Sequence, residues 1–379
     1  MVLYILLVLD SLLLQPFRCF FGLLLRFCWH PPKVATLPPS RFTLKELVAW
    51  AHARIHSLDR TVYGQGGDSA KFLGMLATAT GDDADWQNVM ALVQPDGTIK
   101  RNLRAQYPDE SVPFSGDMLA GFLLAVVQRL PSLSLADRIT LAKLWQRTTW
   151  YGFPLLFADA ATGKKTVFGR GHVWRPWWVL GSEEVLTAIA WLYCGWKITG
   201  ATRYRVACFA FIIMQFPSLL LGCPDGQLWL GRLYAIATYN THSKVLVFYA
   251  GWLMTGGYHF MEALAQSYKR HAAYNADIAI LAGSAVDAPG WRETALNLIS
   301  CAVEKGRYPC PQDTKYLSII WPPEMVMRSG IIPPPEFRGG DYIWERNPVK
   351  GNVLDDDYRA KKGLDVIFPA LMLTRVDRP

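Results

Sequence analysis

Five stretches of the chain carry side chains able to do chemistry, in settings that could aim them. In YNTHSKVLVFYAGW, Asn240, Thr241 and His242 open a long apolar run. Asn240 or Thr241 is the expected helix cap. An imidazole in the first turn, beside the positive helix end, tends to stay neutral, which suits a hydrogen-bonding or general-base role. In PFSGDMLAGFLLAVV, Ser115 is the expected cap and Asp117 falls in the first turn. The helix dipole stabilises a carboxylate there. Such a group serves as acid, base or substrate ligand, or merely completes the cap.

In GGYHFMEAL, Gly256 and Gly257 end one helix and Tyr258 starts the next. His259 and Glu262 then share a helical face. A local His–Glu pair is the plain reading. A metal ion would need two further ligands with no evident source, so no metal site is expected. In RGGDYIWERNPVKGNVLDDDYRAKKGLD, residues 338–365, Asp341, Trp344, Glu345 and Arg346 fall together in the most polar and aromatic loop of the chain. A carboxylate supplies acid or base, a tryptophan a stacking platform, and an arginine a clamp for hydroxyl or carboxylate groups. A well-anchored surface loop has the same composition. In GHVWRPWWVL, His172, Trp174, Arg175, Trp177 and Trp178 form an aromatic and basic patch. It suits the border of a ring-binding cleft or a bilayer interface.

Several other motifs fail. Asp355, Asp356 and Asp357 suggest a diphosphate-binding DDxxD, but Arg359 stands where the last acid belongs. ATGKKT lacks the glycine of a phosphate loop, because Ala158 occupies its place. No G-x-S-x-G, H-E-x-x-H or G-x-G-x-x-G occurs. Nucleophilic-serine, zincin and nucleotide readings lose their usual support, and no cofactor is expected.

The elements that must position these groups read as helix after helix. Thr43 caps a helix running to about Ser57, with Glu46 in capping-box position. GDSAKFLGMLATATG, DDADWQNVMALVQ, SGDMLAGFLLAVVQRL, SLADRITLAKLWQR, SEEVLTAIAWLYCGWK and GATRYRVACFAFIIMQF follow. LWLGRLYAIA, THSKVLVFYAGWLM, YHFMEALAQSYKRH, PGWRETALNLISCAVEKG and a run near GLDVIFPALMLTR bring the count to about twelve. Within several pairs one member is nearly all apolar and its neighbour amphipathic. The first kind is buried on every side and the second faces water. An (α/α) toroid, inner helices ringed by outer ones, has that alternation, as does an irregular bundle. KTVFGRGHVWRPWWVL, residues 165–180, has the composition of a small β-hairpin arm.

In a toroid the inner helices run parallel and open on one face. Polar residues at the starts of apolar helices would converge there. His242 is then expected at the opening. His259 starts an outer helix and is expected on the opposite face.

The chain has 379 residues, of which 51% are hydrophobic and 18% charged, so it can bury a large core and is far from disorder. Its net charge of +8 is scattered, without the concentrated basic face of a nucleic-acid binder, so nucleic acid is not an expected partner. An anionic lipid surface fits better. Seven cysteines at irregular spacing contain no C-x-x-C. Cys194 and Cys208 are expected as buried thiols, and Cys301 and Cys310 are near enough in sequence to pair.

Residues 1–29 form a hydrophobic segment that Asp10, Gln15, Pro16 and Arg18 interrupt. A spanning helix needs about 20 apolar residues. The segment is expected to be a strained span, an in-plane anchor, or an arm docked on a partner protein. Arg18, Arg26, Lys33, Arg41 and Lys45 follow its first apolar run, which favours the cytoplasmic side for the rest. Residues 30–42 are a proline-rich connector and 43–379 one helical domain.

In architecture, over roughly 43–375, the helix-pair rhythm and the Asp341–Arg346 loop resemble (α/α)-toroid glycoside hydrolases and polysaccharide lyases. The resemblance implies a saccharide or glycolipid substrate and carboxylate catalysis. Asp117, with Asp341 or Glu345, would then be acid and base. His242 would assist catalysis, while Asn240, His259, Arg346, Trp344, Trp174 and Arg175 would bind substrate. The alternatives are a non-enzymatic helical subunit of a membrane assembly, held through protein partners or further copies of the chain, and an isoprenoid or lipid enzyme on the same fold.

Overall fold

A computed structural model describes residues 37–56, 69–100, 103, 116–150, 153–154, 182–214, 239–273, 275–305 and 364–376. Among them the chain forms twelve α-helices. In order these are α1 (Leu44–His56), α2 (Ser69–Thr80), α3 (Asp83–Met90), α4 (Gly116–Arg129), α5 (Leu135–Thr148) and α6 (Ser182–Thr199). They continue as α7 (Thr202–Met214), α8 (Tyr239–Thr255), α9 (Tyr258–His271), α10 (Ala276–Ala285), α11 (Trp291–Lys305) and α12 (Leu364–Arg375). The β structure among these residues is small: an antiparallel pair of strands, Thr149–Trp150 with Phe153–Pro154, and an isolated bridge between Val93 and Ile99. The hairpin arm expected over 165–180 lies outside the described residues, as do the segment 1–29 and the helix expected at LWLGRLYAIA.

Among the described helices burial alternates in sequence order. The even-numbered helices are sheathed on almost every side, and the odd-numbered ones bury one stripe and expose another. Helix α10, ADIAILAGSA, is buried along nearly its whole length. The sequence pattern does not mark it, because the short apolar run IAILAG has no amphipathic period. Helix α3 ends at Met90, earlier than its apolar run suggests. Gln94–Thr98 turns back instead, with the Asp96 carboxylate accepting from the Thr98 amide at 3.0 Å and Gly97 at φ 83°.

The described helices fall into two compact units. One takes its residues from Arg60–Gly226 and Leu246–Ala263, the other from Trp29–Asp59, Gln227–Val245 and Leu264–Pro379. In the first, α2 packs on α4, α6 on α7, and α5 on α6. The α2–α4 contact runs backbone to backbone: Gly74 lies against Gly121, and Gly121 against the Lys71 carbonyl, with no room for a Cβ. Trp145 stacks on Trp191 at 3.9 Å between ring centroids, and its indole N–H donates to the Trp191 carbonyl at 2.8 Å. Ser134 caps α5 by accepting from the Asp137 amide, and Asp137 in turn accepts from the Trp86 indole at 3.0 Å. Cys194 and Cys208 are buried free thiols, as expected, and burial pushes the Cys208 thiol up to about 12.

In the second unit, α10 packs on α11 and α12, and α12 also on α1. The predicted capping box of α1 is formed. The Thr43 amide donates to the Glu46 carboxylate at 2.7 Å, and the Glu46 amide to the Thr43 hydroxyl at 3.3 Å. Asn297 on α11 accepts from the Ser40 amide at 2.7 Å, which ties the connector before α1 to the unit. Cys301 is buried in α11, and Cys310 lies outside the described residues.

Candidate functional site

Helix α8 begins at Tyr239, so Asn240 and Thr241 lie inside its first turn rather than at a cap. His242 follows, with 0% of its surface exposed. Its Nε2 lies 2.7 Å from Oδ2 of Asp277. Asp277, itself only 4% exposed, is the second residue of α10. Asn275 caps that helix, its side-chain oxygen accepting from the Ile278 amide at 3.0 Å. Two helix starts are therefore joined by one short hydrogen bond between residues 35 apart in sequence.

Each partner sets the state of the other. The positive end of the α10 helix dipole favours a carboxylate at its second residue, Asp277. A carboxylate 2.7 Å from Nε2 only accepts, so the imidazole places its proton on Nε2. Asp277 thereby fixes the tautomer of the neutral ring. An aspartate that fixes the tautomer and stabilises the imidazolium formed after proton uptake is the orienting half of a general-base dyad. In an apolar core the same pair also locks two helices together.

His242 lies in the first turn of a largely buried helix, but its side chain is 0% exposed rather than set at an open face. Its partner was missed along with α10. The readable signal was Asn-Ala-Asp ahead of IAILAG: a capping residue, then an acid in the first turn. Asp117 occupies the same second position of α4 that Asp277 holds in α10. Trp174, Arg175, Asp341, Trp344, Glu345 and Arg346 lie outside the described residues. Among the described residues no cluster of His, Cys, Asp and Glu is suited to hold a metal ion.

The Gly–Gly boundary stands where expected: α8 ends at Thr255, Gly256 takes φ 59°, and α9 begins at Tyr258. His259 sits in the first turn of α9, half-buried, its ring tilted on Phe260 with centroids 4.7 Å apart. Its buried Nε2 makes no hydrogen bond, so any pairing with Glu262 does not run through that nitrogen. Burial lowers the His259 pKa below its ordinary 6.5. A group whose folded pKa is depressed binds fewer protons in the folded than in the unfolded chain. Stability should therefore fall as pH drops through 6.5 toward the folded value, and the loss should be complete below it. Urea midpoints measured from neutral to mildly acid pH should show this slope in the parent chain. It should be shallower in His259→Gln.

Comparison with known proteins adds no relative: no protein-family profile, no curated protein and no solved structure matches the chain.

Proposed function

We propose that the chain is an (α/α)-toroid enzyme acting on a saccharide or glycolipid by acid–base chemistry, with the His242–Asp277 dyad as its base. The observation that carries this reading is the 2.7 Å hydrogen bond between two first-turn residues of buried helices. Among the described residues, the alternation of largely buried and partly exposed helices supports the toroid. In such a ring the starts of the buried helices face a common opening. Asp341 or Glu345 supplies the acid, Arg346 and Trp344 hold and stack the sugar, and residues 1–29 tether the enzyme to a membrane.

In this reading the dyad's part is proton uptake by the His242 imidazole, with Asp277 holding the ring and stabilising the imidazolium. Asp277→Asn is the test, because it conserves shape while offering an amide that can donate to Nε2 and move the ring proton to Nδ1. On a panel of glycans and glycolipids, this variant should lose about 10²- to 10⁴-fold in turnover. Asp341→Asn and Glu345→Gln, made together, should abolish it. Parent-like turnover in both variants sinks the reading.

A second reading is favoured by a separate observation. Helix α7 exposes Val206, Phe209 and Ile213 to 61%, 64% and 58%. That face suits a helical subunit of a membrane-bound assembly whose core pair is purely structural. In that case Asp277→Asn changes stability and complex recovery, and no substrate is turned over.

A further inference from the structure

Helix α7, TRYRVACFAFIIM, is apolar on both sides. Tyr204, Ala207, Cys208 and Phe211 are buried within the first unit, where α7 packs on α6. Val206, Phe209 and Ile213 repeat on the opposite face. At about 100° per residue these three fall within a stripe roughly 60° wide. The same count puts Arg205 along one edge of the stripe and Arg203 along the other. An exposed apolar stripe on a helix marks a face that another surface covers. What covers this one can be read from its border.

The border is cationic and aromatic. Lys197, at the end of α6, lies 5.5 Å from the Tyr193 ring and 4.9 Å from the Trp196 ring. Arg205 lies 5.2 Å from the same Trp196 ring. Arg203 and Arg205 are exposed, and no Asp or Glu occurs anywhere in residues 185–214. The turn between the helices is held firmly. Gly200 takes φ 68°, its amide donates to the Trp196 carbonyl at 2.8 Å, and Arg138 donates to the Lys197 and Ile198 carbonyls at 2.9 and 3.2 Å.

We infer that the α6–α7 hairpin docks flat on an anionic phospholipid surface. Val206, Phe209 and Ile213 enter the acyl boundary, and Lys197, Arg203 and Arg205 engage headgroup phosphates. Basic side chains on the two edges of an apolar stripe are the arrangement of an interfacial helix. Their long stems cover apolar surface while the charges stay at headgroup level. Tryptophan and tyrosine beside them belong at the same depth. A protein partner would need acids to meet three unopposed cations, whereas an anionic leaflet supplies that charge everywhere. This contact is separate from residues 1–29 and does not depend on the enzymatic reading.

The test must report on α7 alone, since residues 1–29 can bring the full chain to vesicles by themselves. In the full-length chain, Phe209 is replaced by the photo-crosslinker p-benzoylphenylalanine. The protein is then irradiated with phosphatidylcholine vesicles containing or lacking phosphatidylserine. The expected product is a protein–lipid adduct, abundant only with phosphatidylserine. Arg203→Gln, Arg205→Gln and Lys197→Gln should each lower its yield about 5-fold at low ionic strength. Raising the salt to several times physiological should do the same to the unmutated cation set, which keeps the outcome clear even if a variant folds poorly. A cross-link to a second copy of the chain, or lipid adducts indifferent to phosphatidylserine and salt, overturns the inference.

Discussion

Gly121→Ala should destabilise the first unit by about 3 kcal/mol or more, at the upper end of what overpacking costs. The new methyl would land on the Lys71 carbonyl oxygen, and Gly74 presents its backbone to Gly121 from the same helix. None of these contacts is the far end of a flexible side chain, so α2 and α4 must move apart as bodies. Separation would strip contacts from Phe72, Leu76, Phe122 and Leu123, all fully buried. Gly74→Ala should cost a similar amount, and the double variant less than the sum, because once the helices part both methyls have room. Gly200→Ala is the matched control. Gly200 has positive φ but nothing within 4 Å of a Cβ, so only backbone strain of about 1–2 kcal/mol is at stake. Urea midpoints for the three variants decide the matter. A Gly121→Ala midpoint no lower than that of Gly200→Ala removes the close-approach argument.

The sequence announced these elements unevenly, and the reasons are physical. Helix ends were legible wherever a residue type is forced. The Thr43–Glu46 box and the Gly256 boundary stand where hydrogen-bonding and φ requirements put them. The buried and exposed alternation was legible because burial on all sides needs an unbroken apolar surface. The same property hid α10, since the short apolar run IAILAG has no period to distinguish it from a strand. His242 could be singled out as a first-turn imidazole, but nothing local to residue 242 points to residue 277. That pairing depends on which helix starts meet, a fact of tertiary packing. The close approach at Gly121 was invisible for the same reason, because a helical glycine in sequence carries no mark of the carbonyl it must admit.

The larger effect on the proposed site comes from breaking the pair it is built on. Asp277→Ala should cost about 3–5 kcal/mol if the imidazole is charged, because an ion is then left in the core without its counter-charge. If the ring is neutral, the loss is the smaller penalty of an unmet buried donor, about 1–3 kcal/mol. The magnitude therefore reads out the protonation state. His242→Phe should also destabilise, since it leaves the buried Asp277 carboxyl without the imidazole it meets at 2.7 Å. Joining His242→Phe to Asp277→Leu should recover much of either loss, as apolar replacement of a buried pair commonly does. The double-mutant cycle gives the coupling between the two side chains directly. Stability alone does not separate a helix lock from a catalytic dyad, but the pair of readouts does. A lock predicts that the double apolar variant keeps every property of the parent. A dyad predicts that it regains stability and stays inert on every substrate the parent turns over, because no nitrogen remains to take the proton.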